Sequence, residues 1–104
     1  MLHAKTENGQ TCFTVSRPRL DAGVARMLKA EFERLMPGAA DEIELDLSNV
    51  GFIDSAGIGA LVGCKKLAEP TRRLVISGLS PSVERVFRLT RMDQVFKIAP
   101  AATA

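Results

Sequence analysis

An acid and a hydroxyl stand side by side, directly before a run of small residues, in the segment FIDSAGIGALVG (52–63). Asp54 and Ser55 could serve four kinds of chemistry. Either can cap a helix, the serine can act as a nucleophile, the glycine-rich turn can hold a phosphate, and the serine hydroxyl can accept a phosphate covalently. Each possibility requires particular neighbours at particular spacings, so the rest of the sequence decides among them.

Nucleophilic catalysis by Ser55 lacks the residues that it requires. A nucleophile elbow has the pattern G-x-S-x-G, and here Gly57 provides the second glycine while Ile53 replaces the first. The one histidine of the chain, His3, lies in an N-terminal segment that we expect to be mobile, so no base is positioned beside the hydroxyl. The sequence therefore argues against a serine hydrolase.

The glycines of this segment match the nucleotide-binding patterns only in part. GIGALVG (57–63) resembles G-x-G-x-x-G, but its last glycine comes one residue too late, and the acidic residue expected after the next strand is missing. The glycine–lysine pair of a P-loop is also absent at the required offset. We therefore predict no cofactor, and a nucleotide-binding or nucleotide-hydrolysing domain is the less favoured alternative.

The residues point most directly to the start of a helix. Asp54 or Ser55 can cap a helix that begins near Ala56. Glycines inside a helix each cost about 1 kcal/mol relative to alanine, so their presence indicates a packing or functional need. Three glycines of the predicted helix raise this question: Gly57, Gly59 and Gly63. From the residues alone, a tightly packed helix and a surface kept free for a partner both remain open.

The composition is that of an ordinary globular domain. The chain has 104 residues, of which 46% are hydrophobic and 25% charged, and this suits one domain with one core. A net charge of +2, with five phenylalanines and no tryptophan or tyrosine, offers little to nucleic acid or an anionic membrane. No apolar run approaches the roughly 20 residues that span a bilayer, and the first residues do not resemble a signal peptide. We expect a cytoplasmic protein with no nucleic-acid partner and no membrane insertion.

Two further sets of reactive or charged residues do not indicate a site. Cys12 and Cys64 lie far apart, without CxxC spacing or a nearby histidine, which predicts two reduced thiols and no metal site. Arg85, Arg88 and Arg91 follow each other at a spacing of three. With so low a net charge, this stripe is typical of a solvated helix face.

Strands and helices alternate along the chain. β-Rich or alternating apolar segments predict strands at 11–16, 42–50 and 74–77. Helices are predicted after the caps Asp21 and Ser80, as well as after Asp54, and Pro37-Gly38 should end the first of them. This order is typical of an α/β domain with parallel crossovers, and the earliest residues could add an edge strand. Because the strand at 42–50 keeps one polar face, we expect the helices to cover mainly one side of the sheet.

Two stretches of the sequence resemble a known family. LDLSNVGFIDSAGIGALVG (45–63) and LVISGLSPSVERVFRLTRMDQVFKI (74–98) are similar to STAS domains, and specifically to the stand-alone bacterial anti-sigma factor antagonists. The D-S-x-G-[LI]-G core and the SPSVERVF block match independently, and the resemblance covers roughly residues 11–98. It implies a STAS-like α/β fold with a mixed sheet of four or five strands. It also implies a single STAS domain over 1–104, with its core at about 11–98 and a frayed tail at 99–104.

The resemblance assigns roles to individual residues. In the family, an anti-sigma factor that is also a serine kinase of the GHKL type phosphorylates the serine after the aspartate, which here is Ser55. Asp21 matches the family's aspartate near the phosphorylation loop, although Pro18 and Arg91 each replace a glycine of the family pattern. The partner-binding residues that the resemblance implies are Asp21, Asp54, Ser55, Ala56, Gly57 and Ile58.

The function that the resemblance implies is a switchable binding protein with no enzymatic activity and no catalytic residues. Unphosphorylated, it would bind the anti-sigma factor and so release a sigma factor, and phosphorylation of Ser55 would end this binding. A serine phosphatase is implied as well, because otherwise the switch would run in one direction only. The alternative within the same family is a STAS accessory subunit of a phospholipid-transport ABC complex.

Overall fold

Seven strands and three α-helices make up residues 1–99, the part of the chain that the computed structural model describes. In chain order, the elements are β1 (Leu2–Glu7), β2 (Gln10–Val15), β3 (Arg19–Leu20), α1 (Ala22–Leu35), β4 (Glu42–Asp46), β5 (Phe52–Ile53), α2 (Ser55–Ala68), β6 (Arg73–Ser77), α3 (Pro81–Leu89) and β7 (Lys97–Ile98). Single turns of 3₁₀ helix follow α1 at Met36–Gly38 and α3 at Met92–Gln94. The predicted alternation of strands and helices is confirmed.

Five of the strands form one mixed sheet in the order β1-β2-β4-β6-β7. β1 runs antiparallel to β2, and the other neighbours are parallel. Phe13, Leu45 and Ile76 are register partners across the three central strands, and all three are buried. The predicted mixed α/β sheet is therefore confirmed.

The three helices cover one face of this sheet. Each parallel crossover moves one step in the same direction along the strand order, and right-handed crossovers of this kind place their helices on the same side. The buried side chains on that side include Leu28 of α1, Leu61 of α2 and Phe87 of α3. On the opposite face, Glu44 and Asp46 of the central strand remain partly accessible to solvent, as the alternating sequence predicted.

The first residues form a hairpin on the edge of the sheet. Asn8 and Gly9 have φ angles of 51° and 78°, the left-handed pair that a tight hairpin turn between β1 and β2 requires. The edge strand that the sequence suggested is thus present. The expectation of a mobile N-terminus differs from the structure, which places His3 in β1 opposite Thr14. Strand pairing along the whole length of β1 accounts for the difference.

Two short features were not predicted. β3 and β5 form a separate two-stranded parallel sheet, and β7 adds a short fifth strand to the main sheet. Strands of two residues are too short to show a periodicity, so the sequence gives no signal for them. Beyond β7, the Ala99 N–H donates to the Ile76 carbonyl at 2.8 Å. The rest of the predicted frayed tail, 100–104, lies outside the described residues.

Candidate partner-binding site at the start of the second helix

The strand β5 leads directly into α2, and Asp54 forms the junction. Asp54 has an extended backbone, and its Oδ1 accepts a hydrogen bond from the Gly57 N–H at 2.9 Å. Asp54 is therefore the N-cap, and Ser55 is the first residue of the helix. The predicted start near Ala56 is correct to within one residue, and the choice between two possible caps is settled in favour of the aspartate.

Ser55 is exposed, and its hydroxyl makes no hydrogen bond within residues 1–99. The capping function belongs to Asp54, so it does not occupy the serine side chain. The first N–H groups of a helix have no acceptor inside the helix, and those of Ser55 and Ala56 lie at the positive end of the helix dipole. The start of α2 thus combines a free hydroxyl with an environment that favours an anion.

A second aspartate lies beside the first because β3 and β5 pair in parallel. Arg19 is the register partner of Phe52, and Asp21 therefore follows one strand while Asp54 follows the other. Neighbouring strands lie about 4.8 Å apart, so the two aspartates are adjacent. Asp21 caps α1 as predicted, since its Oδ1 accepts from the Gly23 N–H at 3.1 Å. Two helices therefore begin side by side, each with an aspartate at its start.

Close packing at Gly57 fixes this arrangement. A Cβ atom at this position would lie 2.1 Å from the Leu20 carbonyl oxygen and 2.8 Å from Cγ1 of Ile53. No side chain fits there, so this glycine lets α2 sit directly against β3. Gly57 is buried, which distinguishes it from the other predicted partner-binding residues.

The other two helical glycines have different surroundings. A Cβ on Gly63 would lie 3.2 Å from Cε of Lys29, the flexible end of a side chain on α1. A Cβ on Gly59 would meet nothing within 4 Å, and Gly59 is exposed. Gly59 stands four residues after Ser55, so the two share one face of the helix. No contact inside the described chain accounts for this glycine.

The predicted site residues therefore form one surface, with one exception. Ser55 is exposed, and four others are half-buried: Asp21, Asp54, Ala56 and Ile58. Gly57 lies beneath them. The six residues come together because β3, β5 and the two helix starts meet at this edge of the fold.

Two residues beside this surface were missed by the sequence analysis. The Arg19 guanidinium carbon lies 4.1 Å from the centre of the Phe52 ring, and Arg19 Nε lies 3.5 Å from Oδ2 of Asp21. Phe52 keeps 39% of its surface exposed. Both residues belong to the two-residue strands that carry no periodic signal, and only their register brings them together.

The start of α3 holds the loop that precedes β5. Ser80 caps α3 and also donates to the Val50 carbonyl at 3.0 Å, while Ser82 donates to the Gly51 carbonyl at 2.7 Å. Pro81 occupies the first helical position, where its missing N–H removes no helical hydrogen bond. These hydrogen bonds anchor the segment that leads to Asp54.

Both cysteines have thiols that resist ionisation. Burial raises the pKa of Cys64 to about 12, and burial also raises the pKa of Cys12. In residues 1–99, no group of three or more histidine, cysteine, aspartate or glutamate side chains is placed to hold a metal ion. Among the helices of the same residues, none has the length and apolar character needed to cross a membrane.

Comparison with known proteins agrees with this architecture. A family model described as "Mlab, STAS domain" matches residues 15–99. A protein of Listeria monocytogenes named "Anti-sigma-B factor antagonist" is 31% identical over 80 residues, which cover 76% of this chain and 70% of that protein.

Solved structures share the fold. An anti-sigma factor antagonist from Mycobacterium paratuberculosis superimposes with a TM-score of 0.81 at 24% identity, covering 97% of this chain and 86% of that one. The Bacillus cell fate determinant SpoIIAA, solved in its phosphorylated form, gives a TM-score of 0.66 at 18% identity, covering 96% of this chain and 92% of that one. With a family model that spans most of its length and a curated relative at 31% identity, the chain belongs to the STAS domain family, among the anti-sigma factor antagonists.

Proposed function

We propose that this protein is an anti-sigma factor antagonist that binds its anti-sigma factor through the surface at the start of α2. Phosphorylation of Ser55 would end this binding. The observation that carries the proposal is that Asp54, not Ser55, caps the helix, while Ser55 is exposed beside it. A phosphate can therefore be added to the hydroxyl without loss of the cap.

The fold should tolerate a phosphate on Ser55. A phosphoserine carries about −1.5 to −2 charges at neutral pH, and the start of a helix favours an anion through its dipole and its free N–H groups. The same phosphate would lie beside the carboxylates of Asp54 and Asp21, which repel it. The helix start and the carboxylates thus act in opposite directions on the phosphate, and the fold is expected to change little.

A bound partner would experience the charge differently. Burying a phosphate next to two carboxylates removes water from all three groups, and an unpaired buried charge is costly. A penalty of about 4 kcal/mol would weaken binding nearly a thousandfold. A stable fold with a surface whose charge can change is what a phosphorylation-controlled exchange of partners requires.

The partner that fits this proposal is an anti-sigma factor with serine kinase activity of the GHKL type. Binding of the unmodified protein would release a sigma factor, and a serine phosphatase would restore the unmodified state. The protein itself would act by binding rather than catalysis, in the cytoplasm. Support comes from the curated relative's name and from the SpoIIAA structure solved in phosphorylated form.

The test combines the protein with GHKL-type anti-sigma kinases from its source genome and with labelled ATP. We expect one phosphate, located on Ser55 by mass spectrometry. The Ser55→Ala variant should take up none while it retains partner binding, and Ser48→Ala should be phosphorylated normally as a matched control, because Ser48 is another exposed serine. Label on the Ser55→Ala variant would refute the assignment. Capture of a phospholipid-transport ABC subunit in place of an anti-sigma factor would favour the alternative role.

A further inference from the structure

A basic cavity lies at the far end of α2 from Ser55. Its volume is about 380 Å³, within the range of sites that hold small molecules. It is bounded by the end of α2, the start of β6 and the segment that leads into β7. Its lining residues are Lys65, Glu69, Arg72, Arg73, Leu74, Val95 and Lys97.

The cavity concentrates positive charge. Four cations and one carboxylate line it, which gives a formal charge of +3, whereas the whole chain has a net charge of only +2. The single carboxylate, Glu69, is already paired with Lys65 at 2.6 Å. Arg73 is also paired, with Glu42 at 3.7 Å, so two ion pairs offset part of the positive charge of this lining.

Two of the cations have no carboxylate partner within residues 1–99. Arg72 is held by neutral acceptors: its side-chain nitrogens donate to the Ala39 carbonyl at 3.3 Å and to Thr71 Oγ1 at 2.9 Å. These hydrogen bonds fix the guanidinium group but leave its charge uncompensated. Lys97, at the start of β7, is exposed and forms no ion pair with a described residue. A fixed guanidinium and a free ammonium at one cavity favour an anion with two charges.

The cavity also has an apolar part. Leu74 is 8% exposed and Val95 is 43% exposed, and both contribute to the lining. A ligand that is only an ion would leave this surface in contact with water. A ligand with a short apolar group would cover it, and each methylene group so buried strengthens binding.

We propose that the basic cavity binds a small organic phosphate, with the phosphate toward the unpaired cations and a short apolar group against Leu74 and Val95. A phosphate monoester carries about −1.5 to −2 charges at neutral pH, which suits two unpaired cations better than the single charge of a carboxylate. The site is separate from the start of α2. A helix of 14 residues is roughly 21 Å long, so this ligand would not contact Ser55.

The proposal can be tested by titration of the ¹⁵N-labelled protein, with amide chemical shifts as the readout. The probes are n-butyl phosphate, inorganic phosphate and pentanoate. Butyl phosphate should bind roughly tenfold more tightly than inorganic phosphate, because about two methylene groups become buried. It should bind at least about fivefold more tightly than pentanoate, the effect of one additional charge near a cation even in a water-like medium. The shifts should centre on the lining residues.

Paired variants separate a site from general attraction. Arg72→Gln with Lys97→Gln should weaken butyl phosphate binding at least about tenfold, since both unpaired charges leave the lining. Arg85→Gln with Arg88→Gln removes the same charge from exposed positions on α3 that do not line the cavity, and it should have little effect. Glu69→Gln should tighten binding.

The remaining outcomes would overturn the proposal. These are an absence of saturable shifts at millimolar butyl phosphate, equal affinity for pentanoate, or equal weakening by the two double variants. Unchanged amide spectra away from the cavity would show that each variant is folded. Because the readout requires no kinase or anti-sigma factor, failure here is distinguishable from failure of the proposed function.

Discussion

Replacing Gly57 or Gly59 with alanine should move the stability of the protein in opposite directions. The two substitutions are chemically identical and lie two residues apart on α2. At Gly59 the new methyl group meets nothing within 4 Å. At Gly57 it lies 2.1 Å from the Leu20 carbonyl oxygen. Any difference between the two variants therefore reports the local packing and not the intrinsic preference of alanine for helices.

The magnitudes follow from these distances. Gly59→Ala should raise the free energy of unfolding by about 1 kcal/mol, the helical preference for alanine over glycine. Gly57→Ala gains the same amount, but the Leu20 carbonyl must retreat by about 1.3 Å to restore an ordinary 3.4 Å contact. Overpacking of this kind costs roughly 1–3 kcal/mol, and a backbone obstacle places this case at the upper end. We therefore expect a net loss of about 2 kcal/mol for Gly57→Ala.

Urea unfolding followed by circular dichroism measures both changes. A gap of about 3 kcal/mol between the variants corresponds to a difference in Tm of more than roughly 10 °C for a domain of this size. If Gly59→Ala destabilised the protein as much as Gly57→Ala, the space beside Gly59 would not be open. If Gly57→Ala were neutral, the close approach of α2 to β3 would be wrong.

The same pair tests the proposed interface. Gly59 lies on the face of α2 that carries Ser55, so a methyl group there would obstruct a partner seated on that face. We expect Gly59→Ala to be more stable than the unmodified protein and to bind the anti-sigma factor more weakly, as measured by calorimetry. Normal binding by this stabilised variant would place Gly59 outside the interface.

Three further predictions concern single groups. Ser55→Asp should leave the Tm almost unchanged, because the helix dipole contributes roughly 0.3–1 kcal/mol in favour of the new charge. In calorimetric titrations, affinity for the anti-sigma factor should be highest with unmodified Ser55, lower with the Ser55→Asp variant and lowest with phosphoserine. Equal affinities would mean that no switch exists. Asp54→Ala should lower the free energy of unfolding in urea by about 1 kcal/mol through loss of the cap, whereas Asp54→Asn should retain most of the capping stabilisation. Equal losses would show that capping is not the main role of Asp54. Burial raises the pKa of Cys64 from 9.0 in the unfolded chain to about 12. The thiol therefore loses its proton first in the unfolded state, and the free energy of unfolding should fall as pH rises from about 9 toward 12. Cys64→Ala should flatten this fall, and an unchanged pH profile would contradict the raised pKa of Cys64.

The caps and the main strands could be predicted from sequence because each depends on a local pattern. Asp21, Asp54 and Ser80 precede helical segments in the way that N-caps do, and each cap is present. The strand predicted at 42–50 alternates over 42–48, and its apolar residues are buried, although the strand itself is shorter, Glu42–Asp46. Local signals were sufficient for these elements.

The adjacency of Asp21 and Asp54 could not be predicted from the residues alone. It depends on the pairing of β3 with β5, which joins residues more than thirty positions apart through strands of two residues each. The different packing environments of Gly57 and Gly59 could not be predicted either, because they too depend on contacts between distant residues. Both glycines have the same helical propensity, and only the position of the Leu20 carbonyl distinguishes them.

The contact between Gly57 and β3 determines how far a modification at Ser55 can affect the structure of the protein. With no side chain between them, the start of α2 and the Leu20 backbone have no room to slide past one another, and interiors packed this closely respond to force as a unit. The two helix starts should therefore behave as one rigid body. A phosphate on such a rigid body changes its charge but not its shape, so only a molecule that contacts the phosphate can detect it. We accordingly expect phosphorylation of Ser55 to affect only molecules that contact the start of α2. Binding at the other end of α2 should be independent of it.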